Sequence, residues 1–190
     1  MGFFETTPRP RFKQMRQDVD PEKPWVGPPD YVLPAVAPLA MVLARTDRVV
    51  VALLGVHVYF DSFGFAISVR TEPGIEVDIS HAFRARYAGG SDQEQLRIGV
   101  AFSDGSRVTD LDYPFRPSEV QEPPVRVLRP MGGGGQSYRV DQEFWSWPLP
   151  SPGSLDFFCQ WESQGIPMTR CNTDAAPILE AARNARRLWT

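Results

Sequence analysis

Several groups of residues have the types and spacing to do chemistry. His57, Asp61 and His81 make up the donor set of a two-histidine, one-carboxylate metal site, and the same side chains are the acid–base groups open to a hydrolase. Glu76 and Asp78 lie close to His81 in sequence. Nothing in the spacing requires these groups to meet, and an isolated histidine is ordinarily solvated or hydrogen-bonded. The stretch MGGGGQSY, with glycine at 132 to 135, invites comparison with a phosphate cradle. A phosphate loop needs a following lysine and Ser/Thr ahead of a helix, as in GxxxxGKS/T, and this tract has no lysine and leads into a strand pattern. A dinucleotide fingerprint fails for want of a helix N-terminus to receive the pyrophosphate. The tract reads as a flexible connector between strands.

Trp145 and Trp147 are two apart on a strand expected over 137–147, so they share a face with Glu143 and Asp141. Two indoles beside carboxylates can stack on a sugar ring, grip an apolar group of a partner, or fill a core. Arg183, Arg186 and Arg187, with Arg170, could make a basic patch for an acidic partner, or the first three could offset the negative end of a C-terminal helix. Cys159 and Cys171 are the only cysteines, too few for a thiolate metal cage. They flank an expected hairpin that sets Cys159 opposite Met168 or Thr169 and leaves Cys171 further along, which favours two reduced thiols. No GxSxG elbow occurs and no Cys/His pair has a recognisable local context. Asp110 and Asp112 sit in turn-like sequence. The sequence therefore assigns no catalytic residue, no cofactor and no metal.

A chain of 190 residues, net charge −3 and pI near 5.4, is long enough for one substantial core and lacks the basic footprint of a nucleic-acid binder. MGFFETTPRPRFKQMRQ lacks the apolar core of a secretory signal, and no window has the ~20 apolar residues of a membrane span. A cytoplasmic protein without membrane or nucleic-acid partners is the expectation.

Residues 1–37, rich in proline and charge, read as an extended arm anchored by Trp25 and Tyr31, and 38–190 as a single domain. Strands are expected near 39–45, 48–60 and 64–71. In the last, Phe63, Phe65, Ile67 and Val69 alternate with small and polar residues, which buries one face. The middle one is apolar on both parities and should be central and covered on both sides. DISHAFRARY allows a short helix opened by Asp78. Leu96, Ile98, Val100 and Phe102 share a face before an Asp104-Gly105 turn. A proline-rich connector over 114–130 precedes the glycine tract, and PLPSPG is a rigid turn. A last hairpin places Leu155, Phe157, Cys159 and Trp161 on one face, with its turn at 163–165. Ile178, Ala182, Ala185 and Trp189 recur at helical spacing, which predicts a helix over 174–189 opened by Asn172, Thr173 or Asp174. About eight strands and one terminal helix make an antiparallel β-sandwich, immunoglobulin-like or jelly-roll in topology.

WVGPP (25–29), LARTDRVVVAL (43–53), FWSWPLPSPGSLDFFCQW (144–161) and AARNARRLW (181–189) resemble an uncharacterised family of small proteins from high-GC bacteria. The resemblance spans the chain from about residue 25 and implies one intact domain, with no activity or cofactor attached. The leading expectation is thus a non-enzymatic module that binds a protein partner or itself, through a sheet edge or the tryptophan face. A carbohydrate or small-ligand module using Trp145 and Trp147 is the alternative, and a hydrolase or metal enzyme ranks last.

Overall fold

A computed structural model describes residues 23–75, 79, 82–83, 94–112 and 122–189. Glu76, Asp78, His81, most of the helix expected after Asp78, and the first part of the expected arm lie outside the described residues. The chain is mainly β, with antiparallel sheets and one C-terminal helix. In chain order the strands are β1 (Val32–Leu33), β2 (Ala35–Ala37), β3 (Met41–Arg45), β4 (Val49–Val58), β5 (Phe63–Thr71), β6 (Arg97–Phe102), β7 (Arg107–Thr109), β8 (Val127–Gln136), β9 (Arg139–Trp147), β10 (Ser154–Trp161) and β11 (Ile166–Asp174). Helix α1 (Ala176–Ala182) and β12 (Arg186–Arg187) follow.

One sheet runs in the order β2-β4-β5-β9-β8, with β3 also paired to β4; a second runs β11-β10-β6-β7; β1 and β12 form a small third. The alternation read in β5 faces Phe63, Phe65, Ile67 and Val69 inward, opposite Ser146, Phe144, Gln142 and Val140 of β9. Across the interior the Phe65 ring meets Phe157 of β10 edge-on at 5.3 Å and stacks on Phe144 at 5.5 Å, so one core joins both large sheets. The Asp104-Gly105 turn forms as read, with Gly105 at φ 84°, and Gly165 closes the last hairpin in the left-handed region. Cys159 lies opposite Thr169 and both cysteines are free thiols.

Four expectations need correction. The glycine tract is not slack: Gly132 to Gly135 lie within β8, and Gly133, Gly134 and Gly135 pair with Gln142, Asp141 and Val140. β4 is central but not covered on both sides. Leu54 bulges out of register, and among the described residues nothing covers Leu54 and His57, which are exposed on the outward face. Residues 23–37 are built into the fold and do not merely lie along it: Trp25 is buried, and β2 pairs with β4 through Ala35, Val36 and Ala37.

The helix is the fourth. Asp174 accepts the Ala176 N–H, in keeping with the expected opening, and Pro177 sits in the first turn, but α1 ends at Ala182. The Asn184 side chain turns back to donate to the Glu180 carbonyl, Ala185 enters the core, and Arg186 and Arg187 become β12, paired with Leu33 and Val32. The local helical spacing loses here to a strand edge offered from a distant part of the chain. Ile178 is buried as predicted, whereas Trp189 is 69% exposed.

Candidate functional site

The outward parity of β5 and β9 builds the face on which Trp145, Trp147, Glu143 and Asp141 lie. Gly64, Ala66, Ser68 and Arg70 stand opposite Trp145, Glu143, Asp141 and Arg139. At one end of this face Trp145 is 2% exposed, although it points away from the core between the sheets. Residues 24–27 cover it. The Trp145 Nε1–H donates to the Pro24 carbonyl at 3.1 Å, Arg129 of β8 donates to the Val26 carbonyl, and the Trp25 ring tilts against Trp147 with centroids 5.8 Å apart. Tyr59 closes the side, edge-on to Trp145 at 5.1 Å. Burial, with smaller contributions from the Glu143 and Asp30 carboxylates, pushes the Tyr59 hydroxyl above its ordinary range, so Tyr59 stays a neutral donor. A sugar ring cannot stack on Trp145 while these residues lie over it.

Further along the same face the side chains bond to one another. Ser68 donates to Asp141 at 2.6 Å, Arg139 grips the same carboxylate through Nε and Nη2, and Arg70 donates to Ser68. Burial would raise the Asp141 pKa, but the bonds from Arg139 and Ser68 and the nearby arginine charges outweigh it and hold the group below the usual carboxylate range. Such a carboxylate is a structural acceptor, poorly suited to act as a base at neutral pH. Glu143, in the middle of this face, is exposed.

Among the described residues β8 is the last strand of this sheet. Between Pro130 and Gly133 the register slips, so Met131 and Gly132 together oppose Glu143, and the buried Gln142 amide reaches across to the Met131 and Gly132 carbonyls at 3.0 and 3.1 Å. A Cβ at Gly133 would stand 2.7 Å from the Asp141 carbonyl oxygen, and one at Gly135 would run into the Arg139 carbonyl and the Val140 Cα. Those two glycines are demanded by the close approach of β9. A Cβ at Gly132 or Gly134 would meet nothing within 4 Å, and neither residue has a left-handed φ. Among the described residues, neither the packing nor the backbone requires glycine at those two positions.

The remaining predicted groups do not come together. His57 is exposed on β4 opposite Gly64 and Val36, and Asp61 accepts from Ser62 in the following turn. Among the described residues no three His, Cys, Asp or Glu side chains gather to hold a metal ion. Arg183 caps α1 and is exposed; Arg186 and Arg187 are exposed on β12, with the Arg187 guanidinium 5.8 Å from the Tyr31 ring centroid. Arg170 is tied to Asp156 of β10 at 2.8 Å and so does not join them as a free cation. Asp156 also accepts from Asn172; the Arg170 bond above all holds its carboxyl below the usual range.

Sequence reasoning singled out the indoles but not their cover of Pro24, Trp25 and Arg129, nor the division of the glycine tract into two internally required and two unconstrained positions. The first had a visible signal in the lone tryptophan of a proline-rich stretch; the second depends on cross-strand spacing that no local pattern carries. No helix among the described residues is long and apolar enough to cross a membrane. No family model, no curated protein and no solved structure matches this chain.

Proposed function

We propose that this chain is a non-enzymatic, cytoplasmic protein-recognition module that takes an extended segment of a partner along the free edge of β8, in keeping with its resemblance to small proteins of high-GC bacteria. The observation that carries the reading is the pair of glycines at 132 and 134. Glycine inside a strand costs stability relative to alanine, and where the described residues give no reason for it, the close approach of another backbone is a standard cause.

The other sheet edges are managed in ways that β8 is not. β7 has three residues. β11 runs beside β3, where the Cys171 thiol reaches the Leu43 carbonyl at 3.5 Å, and α1 packs against β2 and β4. β8 has Pro130 and a bulge in its first half, but the stretch Pro130 to Tyr138 contains no charged residue, and charge is the usual guard against strand addition. An added strand would form main-chain hydrogen bonds along 133–136, with the bare glycines admitting its side chains.

The test is recovery of partners from the native host with tagged wild type, Gly134→Lys and an Arg183→Glu control. A stoichiometric partner retained by the control and lost by Gly134→Lys is the expected result. Equal recovery by all three would overturn an edge-mediated role.

A further inference from the structure

The tryptophan face supports a separate inference, independent of the β8 edge. We propose that the groove lined by Trp145, Trp147, Tyr59 and Arg129 is a recognition site for a Pro–Trp turn of a partner chain, held shut in this molecule by its own residues 23–27.

The resident segment defines the chemistry that fits. Residues 23–26 form a turn closed by the Val26 N–H donating to the Lys23 carbonyl at 2.9 Å, with Pro24 at the position where proline presets the backbone angle. Three features then meet the groove: the Pro24 carbonyl accepts from Trp145 Nε1, the Val26 carbonyl accepts from Arg129, and the Trp25 ring lies against Trp147. Two are main-chain carbonyls and the third is an aromatic ring, so nothing in the contact set depends on the segment belonging to the same chain. A turn preorganised by proline loses little freedom on docking, which suits a short recognition motif.

The seating in this chain is also incomplete. Trp25 is 8% exposed, yet among the described residues its Nε1–H has no hydrogen-bond partner. A buried donor left unmade lowers the cost of releasing the segment to water. Pro28 and Pro29 then join it to β1 through a short, stiff connector, so the resident turn competes at an effective concentration of the order of ~mM. A partner of ordinary affinity is therefore excluded until the segment is weakened or displaced, which makes the contact autoinhibitory.

The probe is a dye-labelled peptide with the sequence of residues 23–31, KPWVGPPDY, titrated by anisotropy into the full-length protein. Trp25→Ala, and separately Pro28→Gly with Pro29→Gly, should each tighten peptide binding about tenfold or more over wild type, because each lowers the competition from the resident turn. Adding Trp147→Ala to either should remove the gain. The double glycine variant leaves every groove contact in place, so it carries the test if Trp25→Ala does not fold. Identical affinity for wild type and both variants, or binding indifferent to Trp147→Ala, would overturn the proposal. A wild-type dimer that dissociates on Trp25→Ala would overturn the assignment to a different partner chain, in favour of exchange of the turn between two copies. Gly134→Lys should leave peptide binding unchanged, which separates this site from the β8 edge.

Discussion

Alanine placed in turn at each of the four glycines of β8 should split the tract into two classes with opposite signs. At Gly132 and Gly134 the new methyl meets nothing within 4 Å and the backbone is not left-handed, so the folded state loses no contact. The unfolded chain loses conformational freedom, and the substitution should stabilise by about 0.4–1 kcal/mol. For a chain of this size that is a rise in Tm of roughly 1–4 °C. At Gly133 the methyl would stand 2.7 Å from the Asp141 carbonyl oxygen and 2.8 Å from Gln142 Oε1, inside normal contact. At Gly135 the obstacles are the Arg139 carbonyl and the Val140 Cα, both backbone. Relief at either place means moving β8 away from β9, with a cost of about 1–3 kcal/mol. Gly135→Ala should be the worse of the two, since Gln142 is a side chain that can partly yield.

Urea unfolding followed by tryptophan fluorescence measures the four values directly, and an unchanged slope with denaturant would show that only the midpoint has moved. Destabilisation by all four alanines would mean that the whole tract is packed, and the argument that something outside the chain explains Gly132 and Gly134 would collapse. Four values near zero would be equally damaging, because the tract would then be the loose connector that its composition suggests and β8 would end before it. If the two classes appear, Gly134→Ala is both more stable and the sharper probe of function. A more stable fold that recovers less partner is hard to explain by anything except an occupied edge.

Three further predictions concern the body of the fold. The Arg126 guanidinium is almost buried, lies 3.8 Å over the Phe102 ring, and donates to Ser106, Asp104 and the Pro148 and Leu149 carbonyls; Arg126→Ala should destabilise by about 2–4 kcal/mol in the same unfolding assay, and a loss under 1 would refute this role. Burial pushes the Asp110 carboxyl up to about 6, against the opposing pull of the Ile98 N–H, Gln95 and Arg97. Its folded value exceeds the unfolded one, so its contribution is fully present below about pH 4 and is lost as pH rises through 6; Asp110→Asn should therefore gain on the order of 1–3 kcal/mol over wild type at pH 7–8 and nothing at pH 4. A difference constant across that range would refute it. Burial also raises the Cys159 thiol, while Cys171 is only half-buried, so a thiol reagent should modify Cys171 in the native protein and Cys159 only on unfolding; simultaneous reaction of both would contradict the packing.

The parts of the fold legible in the sequence are those set by neighbours two to four residues away. Alternation from Phe63 to Val69 defines β5 because one side of the pleat faces a continuous core. Asp104-Gly105 and Gly165 mark turns because those backbone angles suit glycine. Where the expectations failed, the deciding contact was distant. β8 is a strand because β9 approaches it too closely for a side chain at two of four glycines, and the tract read alone has linker composition. Arg186 and Arg187 leave the helix because Val32 and Leu33 offer a pairing edge more than 150 residues earlier. The same limit applies to the candidate sites: the shared face of Trp145 and Trp147 follows from spacing, but what lies on it follows from the fold.

The two proposed sites call for different kinds of partner, and the reason lies in how each surface is already satisfied. Along 133–136 β8 is the last described strand of its sheet, and an edge strand offers main-chain donors and acceptors, which take any extended chain and discriminate weakly by sequence. At the tryptophan groove the unmet group among the described residues is the Trp25 indole N–H on the resident turn, while the groove's own donors, Trp145 Nε1 and Arg129, are engaged. Recognition there must replace contacts already made, so it demands a close copy of the Pro–Trp turn and excludes most other sequences. Both sites adjoin β8, since Arg129 belongs to that strand and pairs opposite Trp145. A ligand that pulled Arg129 from the Val26 carbonyl would loosen the resident turn and disturb the strand at its proline end. Arg129 lies on the far side of the register slip from the 133–136 edge, so Arg129→Gln should weaken the seating of the resident turn while leaving the glycine edge itself intact.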